Sequence, residues 1–123
     1  MLRVRALTLA AATALVGVAA PSTAAGQCAD LVAPGAVLHW TSYNNGARFN
    51  WGTFTVMLID ERYIEIMSVD SFDPVPRLFL ATMAGSIFVA IDSDRRQRSV
   101  WIGTCSGNQI TGTVRQFTFV VTR

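Results

Sequence analysis

The chain contains no lysine: all ten of its basic residues are arginine, and it has one histidine, His39, and two cysteines, Cys28 and Cys105. Without lysine there is no Schiff-base or amine general-base chemistry. One imidazole and two thiols supply too few donors to close a four-ligand zinc site. No serine or cysteine is framed by glycines as a nucleophile that His39 could serve. The neighbouring acids, Asp60-Glu61 and Asp70 with Asp73, fall in segments that read as turns, where Asp has a conformational reason to occur. Glu65 with one of them is the single pairing a hydrolase could use. The chain therefore reads as noncatalytic, with no metal and no cofactor.

A long apolar run is also missing, apart from the N-terminus. There Arg3 and Arg5 precede the uncharged stretch Ala6 to Ala20, and Pro21 to Gln27 is rich in small residues. This basic, apolar, small-residue order predicts a secretory signal peptide over 1–25, cleaved to leave one small β domain over 26–123. The apolar run is shorter than the roughly 20 residues a bilayer helix needs, so no membrane span is expected after cleavage. Gln27 before Cys28 argues against a lipid anchor. Loss of Arg3 and Arg5 takes ten basic residues to eight against eight acidic ones, which leaves no excess charge to attract nucleic acid. The expected location is secreted or periplasmic.

In an oxidising compartment two cysteines read as a disulfide. Linking Cys28 to Cys105 would stabilise a small domain by roughly 4 kcal/mol on the chain-entropy model. The competing reading of Cys105 is a reactive thiol.

After Gln27 no helical period is sustained. Short runs rich in Val, Ile, Thr, Phe and Trp alternate with Gly, Asn, Asp and Pro, the pattern of an all-β sandwich or barrel. Strands are expected over 36–43, 48–59, 63–69, 77–83, 86–92, 98–105 and 109–121, giving a small antiparallel barrel or sandwich of seven or eight strands in meander or hairpin order. In VWIGTCSGNQITGTV a Gly107-Asn108 loop pairs Cys105 with Ile110, Gly103 with Gly112 and Trp101 with Val114. Those residues form the buried face, and the facing glycines let the sheet bend or another group approach. Beyond Val114 the apolar parity changes to Phe117, Phe119 and Val121, which predicts a β-bulge at Arg115-Gln116.

The Asn45-Gly46 turn pairs Tyr43 with Arg48, Thr41 with Asn50 and Trp40 with Trp51. In regular strands His39, Thr41, Tyr43, Arg48 and Asn50 share a face with Phe54, while Trp40, Phe49 and Trp51 lie opposite; a bulge at Gly52 exchanges them. Farther along, Phe54, Val56, Leu58, Ile64 and Ile66 point inward and Glu65 outward. The segment RLFLATMAGSIFVAID reads as a hairpin with Ala84-Gly85 at its tip. It places Leu78, Leu80, Ile87, Val89 and Ile91 on one face and Phe79, Met83 and Phe88 on the other. A buried helix is the competing reading.

Three places could carry function. Tyr43, Arg48 and Asn50 over an apolar floor describe a small-ligand pocket at a barrel mouth. Trp40, Phe49 and Trp51, if exposed together, would stack a sugar or a partner. Arg95, Arg96 and Arg98 gather at a tip suited to phosphate, or simply to solvent. The two-faced apolar hairpin nominates Phe79 and Phe88 as a partner or homo-oligomer interface.

The chain length suits a lipocalin-like or avidin-like barrel, and WTSYNNGARF and WIGTCSGNQI resemble the avidin pattern. The remaining tryptophans and serines of a biotin pocket are missing, so the resemblance assigns no family, and biotin is not the expected ligand. The leading expectation is a noncatalytic binding module for a small ligand or glycan. The alternative is an envelope-structural or interaction protein acting through an oligomer or partner interface.

Overall fold

The computed structural model describes residues 28, 30–93 and 98–123. The expected leader over 1–25, its cleavage site, and Arg95 and Arg96 lie outside these residues. Eight strands follow one another: β1 (Val37–Asn44), β2 (Ala47–Ile59), β3 (Ile64–Asp70), β4 (Arg77–Ala84), β5 (Ile87–Asp92), β6 (Val100–Ser106), β7 (Gln109–Val114) and β8 (Phe117–Thr122). Each pairs antiparallel with the next, and β8 pairs back onto β1, so the sheet closes as a meander barrel. The architecture is therefore a barrel and not a sandwich. The segment 77–92 is a strand hairpin, not a buried helix.

Alternation of apolar and polar residues decides which side of each strand faces inward. Leu38 and Trp40, Phe54 and Val56, Ile64 and Ile66, Phe79 and Ala81, Phe88 and Ala90, Trp101 and Cys105, Ile110 and Val114, and Phe119 and Val121 are all buried. An eight-stranded barrel has an interior just wide enough to be filled by such side chains. Burying each large one stabilises the fold by about 1.5–3 kcal/mol. Trp101 is the hub of this core, with its ring 4.9–5.2 Å from Trp40, Phe54 and Phe119.

The β6–β7 hairpin has the register expected from its loop: Cys105 opposite Ile110, Gly103 opposite Gly112, and Trp101 opposite Val114. A Cβ on Gly112 would run into the backbone of Ile102 and Gly103, and one on Gly103 would stand 3.0 Å from the Phe119 ring. The absent side chains thus make room for close strand contact and for Phe119.

The structure departs from the expected register at four places. The parity change after Val114 comes from a tight turn at Arg115-Gln116, with Val114 opposite Phe117, and not from a bulge in one long strand. Arg115 takes the positive φ of 56° that such a turn needs. Between β1 and β2, Tyr43 pairs with Arg48 but Ser42 pairs with Asn50, so Phe49 is the extra residue of a bulge. Thr41 therefore faces Trp51, and Trp40 faces Gly52, which is inward and takes the edge of the Trp40 ring. A second irregularity at Met57 turns Leu58 outward, where it is exposed. The β4–β5 turn falls at Gly85-Ser86, one residue later than expected.

One end of the barrel is plugged. The chain from Cys28 makes a single helical turn, with the Val32 N–H donating to the Cys28 carbonyl at 3.1 Å, and buries Cys28, Leu31 and Val32 against the core. Three ties hold it: the Cys28–Cys105 disulfide to β6, the bonds Gly35 N–H to Val56 O and Val56 N–H to Ala36 O, and Arg123 Nη1 donating to Asp30 O at 2.7 Å. The disulfide fits an oxidising, non-cytoplasmic environment. Among the described residues no helix is long and apolar enough to cross a membrane.

Replacing both cysteines with serine should remove about 2–4 kcal/mol of stability, read as a lower urea midpoint. An unchanged midpoint would mean that the backbone ties alone hold the plug.

Candidate functional site

Strand direction places the turns Asn45-Gly46, 71–76 and Arg115-Gln116 at the end opposite the plug. Among the described residues nothing plugs this end, and a cavity of about 330 Å³ enters the barrel there. Its depth is lined by Trp40, Phe79, Trp101 and Val114, and its upper wall by Phe49, Phe72 and Phe117. Phe49 stacks on Phe117 at 4.4 Å and meets Phe72 edge-on at 5.3 Å. The bulge at Phe49 takes that residue out of the regular inward-outward alternation and leaves its ring beside these two.

Polar groups enter this mouth because the inward parity of each strand continues to its end. Ser68 and Asp70 follow Ile64 and Ile66 on β3, Arg77 precedes Phe79 on β4, and Asp92 follows Phe88 and Ala90 on β5. Arg77 Nη2 lies 3.2 Å from Asp92 Oδ2 and 3.9 Å from Asp70 Oδ2, and the Asp92 side chain is fully buried. Two further groups differ in how they are satisfied. Trp101 Nε1 donates to Ser99 Oγ at 3.2 Å, whereas Trp40 Nε1 is buried with no acceptor among the described residues. A buried unpaired N–H costs about 1–3 kcal/mol, a cost seldom found outside strained or functional regions.

The β3–β4 loop at the rim is held by side-chain oxygens. Asp70 Oδ1 accepts from the Phe72 and Asp73 N–H groups at 2.8 Å each, and Asp73 Oδ1 accepts from the Val75 N–H at 3.0 Å. Asn50 Oδ1 accepts from the Ser71 hydroxyl at 2.6 Å and from the Trp51 N–H at 2.8 Å. These bonds hold the loop that carries Phe72, whose ring is 65% exposed.

Two other hollows flank the plugged end. A groove of about 570 Å³ runs past Asp30, Leu31, Gln109 and Arg123, and one of about 390 Å³ lies between the plug and Tyr63, Ile64 and Met83. The first is larger than the mouth cavity but has no aromatic ring in its wall. Neither contains a buried donor that lacks an acceptor. The mouth is the candidate site on chemical grounds, not on size.

The residues nominated from sequence are only partly brought together. Asn50 and Trp40 line the mouth cavity. Tyr43 is half-buried on the outer wall side of β1, and Arg48 is exposed with its guanidinium 4.3 Å above the Trp51 ring. Trp51 is 44% exposed on the outer wall while Trp40 is inside at 3%, so the two indoles form no common platform. The aromatic group at the surface is instead Phe49, Phe72 and Phe117. Phe79 and Phe88 are each only 1% exposed and point into the barrel, which removes them from any partner surface. The groups missed from sequence are Ser68, Asp70, Arg77, Asp92 and Phe72. Extending the inward parity to the strand ends would have found the first four.

Among the described residues no cluster of three or more His, Cys, Asp or Glu side chains is placed to hold a metal ion. Comparison with protein-family models, curated proteins and solved structures finds no match to this chain.

Arg77→Leu should cost about 1.5–3 kcal/mol, because it removes the guanidinium that lies 3.2 Å from the fully buried Asp92 carboxylate. Asp70→Asn keeps the loop acceptor and should cost less than about 1 kcal/mol. Urea unfolding of the two variants checks the order.

Proposed function

We propose that this protein is an exported, noncatalytic binding module that holds a small ligand with an apolar body and polar groups in the mouth of its barrel. The observation that carries this reading is the mouth cavity itself. It joins aromatic walls at two levels to a polar rim that includes Asn50, Ser68, Asp70, Arg77 and Ser99, a mixture that can bind an apolar body and fix its orientation. The volume of about 330 Å³ lies at the lower end of such sites and suits a compact molecule. The plug fills the other end of the barrel. Export rests on the disulfide and on the leader-like N-terminus.

Between a small ligand and a glycan, the geometry favours the former. A sugar stacks best on an open indole face, but Trp40 is buried, the Trp51 ring already carries Arg48 and the Phe49 ring is stacked on Phe117, which leaves Phe72 as the open ring. A molecule with an apolar body instead gains by leaving water for the ring-lined mouth.

Native mass spectrometry of protein purified from the exported fraction without reductant should show a retained small molecule. Ser68 is buried in the cavity wall, so Ser68→Met should fill that space and abolish retention while leaving the circular dichroism spectrum unchanged. Retention that survives Ser68→Met would place the ligand elsewhere and overturn the reading.

A further inference from the structure

The outer wall of the barrel is covered in two different ways. On β7, β8 and β1 the outward positions are mostly polar, among them Thr111, Thr113, Thr118, Thr122, His39, Thr41 and Tyr43, and β2 adds Thr53 and Thr55 beside the exposed Trp51, Met57 and Leu58. Threonine suits a solvated sheet face, since it combines strand propensity with a hydroxyl. On β4, β5 and β6 the outward positions are aliphatic: Leu78, Leu80, Ile87, Ile91, Val100 and Ile102 are all exposed.

Register makes these aliphatic residues one surface. Leu80 faces Ile91, which faces Val100, and in the next row Thr82 faces Val89, which faces Ile102. The outward positions of these three strands, from Leu78 to Ala84, Ile87 to Ile91 and Val100 to Ser106, include no charged residue. Covering the face would therefore desolvate no ion on these three strands, and Glu65 of β3, opposite Leu80, stands at its border.

From the exposed fractions of 36–53%, these six side chains present roughly 500 Å² of apolar surface, at the upper end of the largest patch on a typical monomer. Closure of the barrel leaves no open strand edge, so an added strand cannot be what covers this wall. What remains is contact face to face.

We infer that this β4–β6 wall is a homodimer interface whose occupant is the same wall of a second copy. Two such faces remove about 1,000 Å² of aliphatic surface from water before their threonine and alanine borders are counted, which meets the area a specific interface requires. A two-fold axis through a patch whose own strands carry no charge needs no complementary partner surface, since the patch meets itself. The interface lies on the outside of the wall, so dimer formation leaves the mouth open.

Sedimentation equilibrium of the disulfide-bonded protein between 1 and 500 µM tests this, with Ile91→Glu and Ile102→Glu as variants. Both positions are exposed in the monomer, so neither change disturbs the core. The wild type is expected to sediment at twice the monomer mass, and each glutamate to weaken association at least 100-fold. Thr41→Glu, on β1 away from this wall, should leave the dimer intact. A wild type that stays monomeric at 500 µM, or a dimer indifferent to Ile91→Glu, overturns the inference. A monomer that instead binds phosphatidylcholine vesicles through Ile91 and Ile102 overturns it in favour of a lipid surface.

Discussion

Closure of the sheet, β8 onto β1, is the constraint from which the rest of this structure follows. Once eight strands meet in a ring, the interior volume is finite and every inward side chain must fit it. Large rings and missing side chains therefore occur as complements. Trp40 lies over Gly52, and Phe119 approaches Gly103 where Gly112 stands opposite. Closure also determines where polarity can enter. In mid-barrel the inward positions are apolar, and only at the strand ends do Ser68, Asp70, Arg77 and Asp92 turn toward the lumen.

The two ends are finished by different chemistry. A covalent bond and backbone ties hold an apolar plug at one end, and the other is ringed by carboxylates, a guanidinium and phenyl rings. The Arg77–Asp92 pair lies where the apolar core gives way to the mouth. Its charges are paired because burial of either alone would be costly. It thus marks the depth to which the mouth remains polar.

What the amino-acid sequence discloses of this arrangement depends on whether a local rule had a local marker. The β6–β7 hairpin was legible to the residue, because Gly107-Asn108 identifies its loop and Trp101, Cys105, Ile110 and Val114 keep one parity through it. The face division of the β4–β5 hairpin was legible for the same reason, even with its turn misplaced by one residue. The Phe49 and Met57 irregularities were not, since any residue can be the extra one in a bulge. The parity change after Val114 was legible and was read as a bulge, but the tight turn that makes it was not, because arginine seldom takes the positive φ that Arg115 adopts. These slips explain the fate of the nominated site: one uncounted residue at Phe49 is enough to bring Trp40 inside and leave Trp51 outside. The interface nomination failed differently, since a strand apolar on both faces does not reveal which face is core.

One feature of the rim bears on how fast and how tightly a molecule could be held. The loop from Ser71 to Pro76 is tied by Asn50, Asp70 and Asp73, so its ordering entropy is met during folding and not during association. A guest entering this mouth would therefore lose mainly its own freedom of motion, and the apolar contact it makes would translate more fully into residence time.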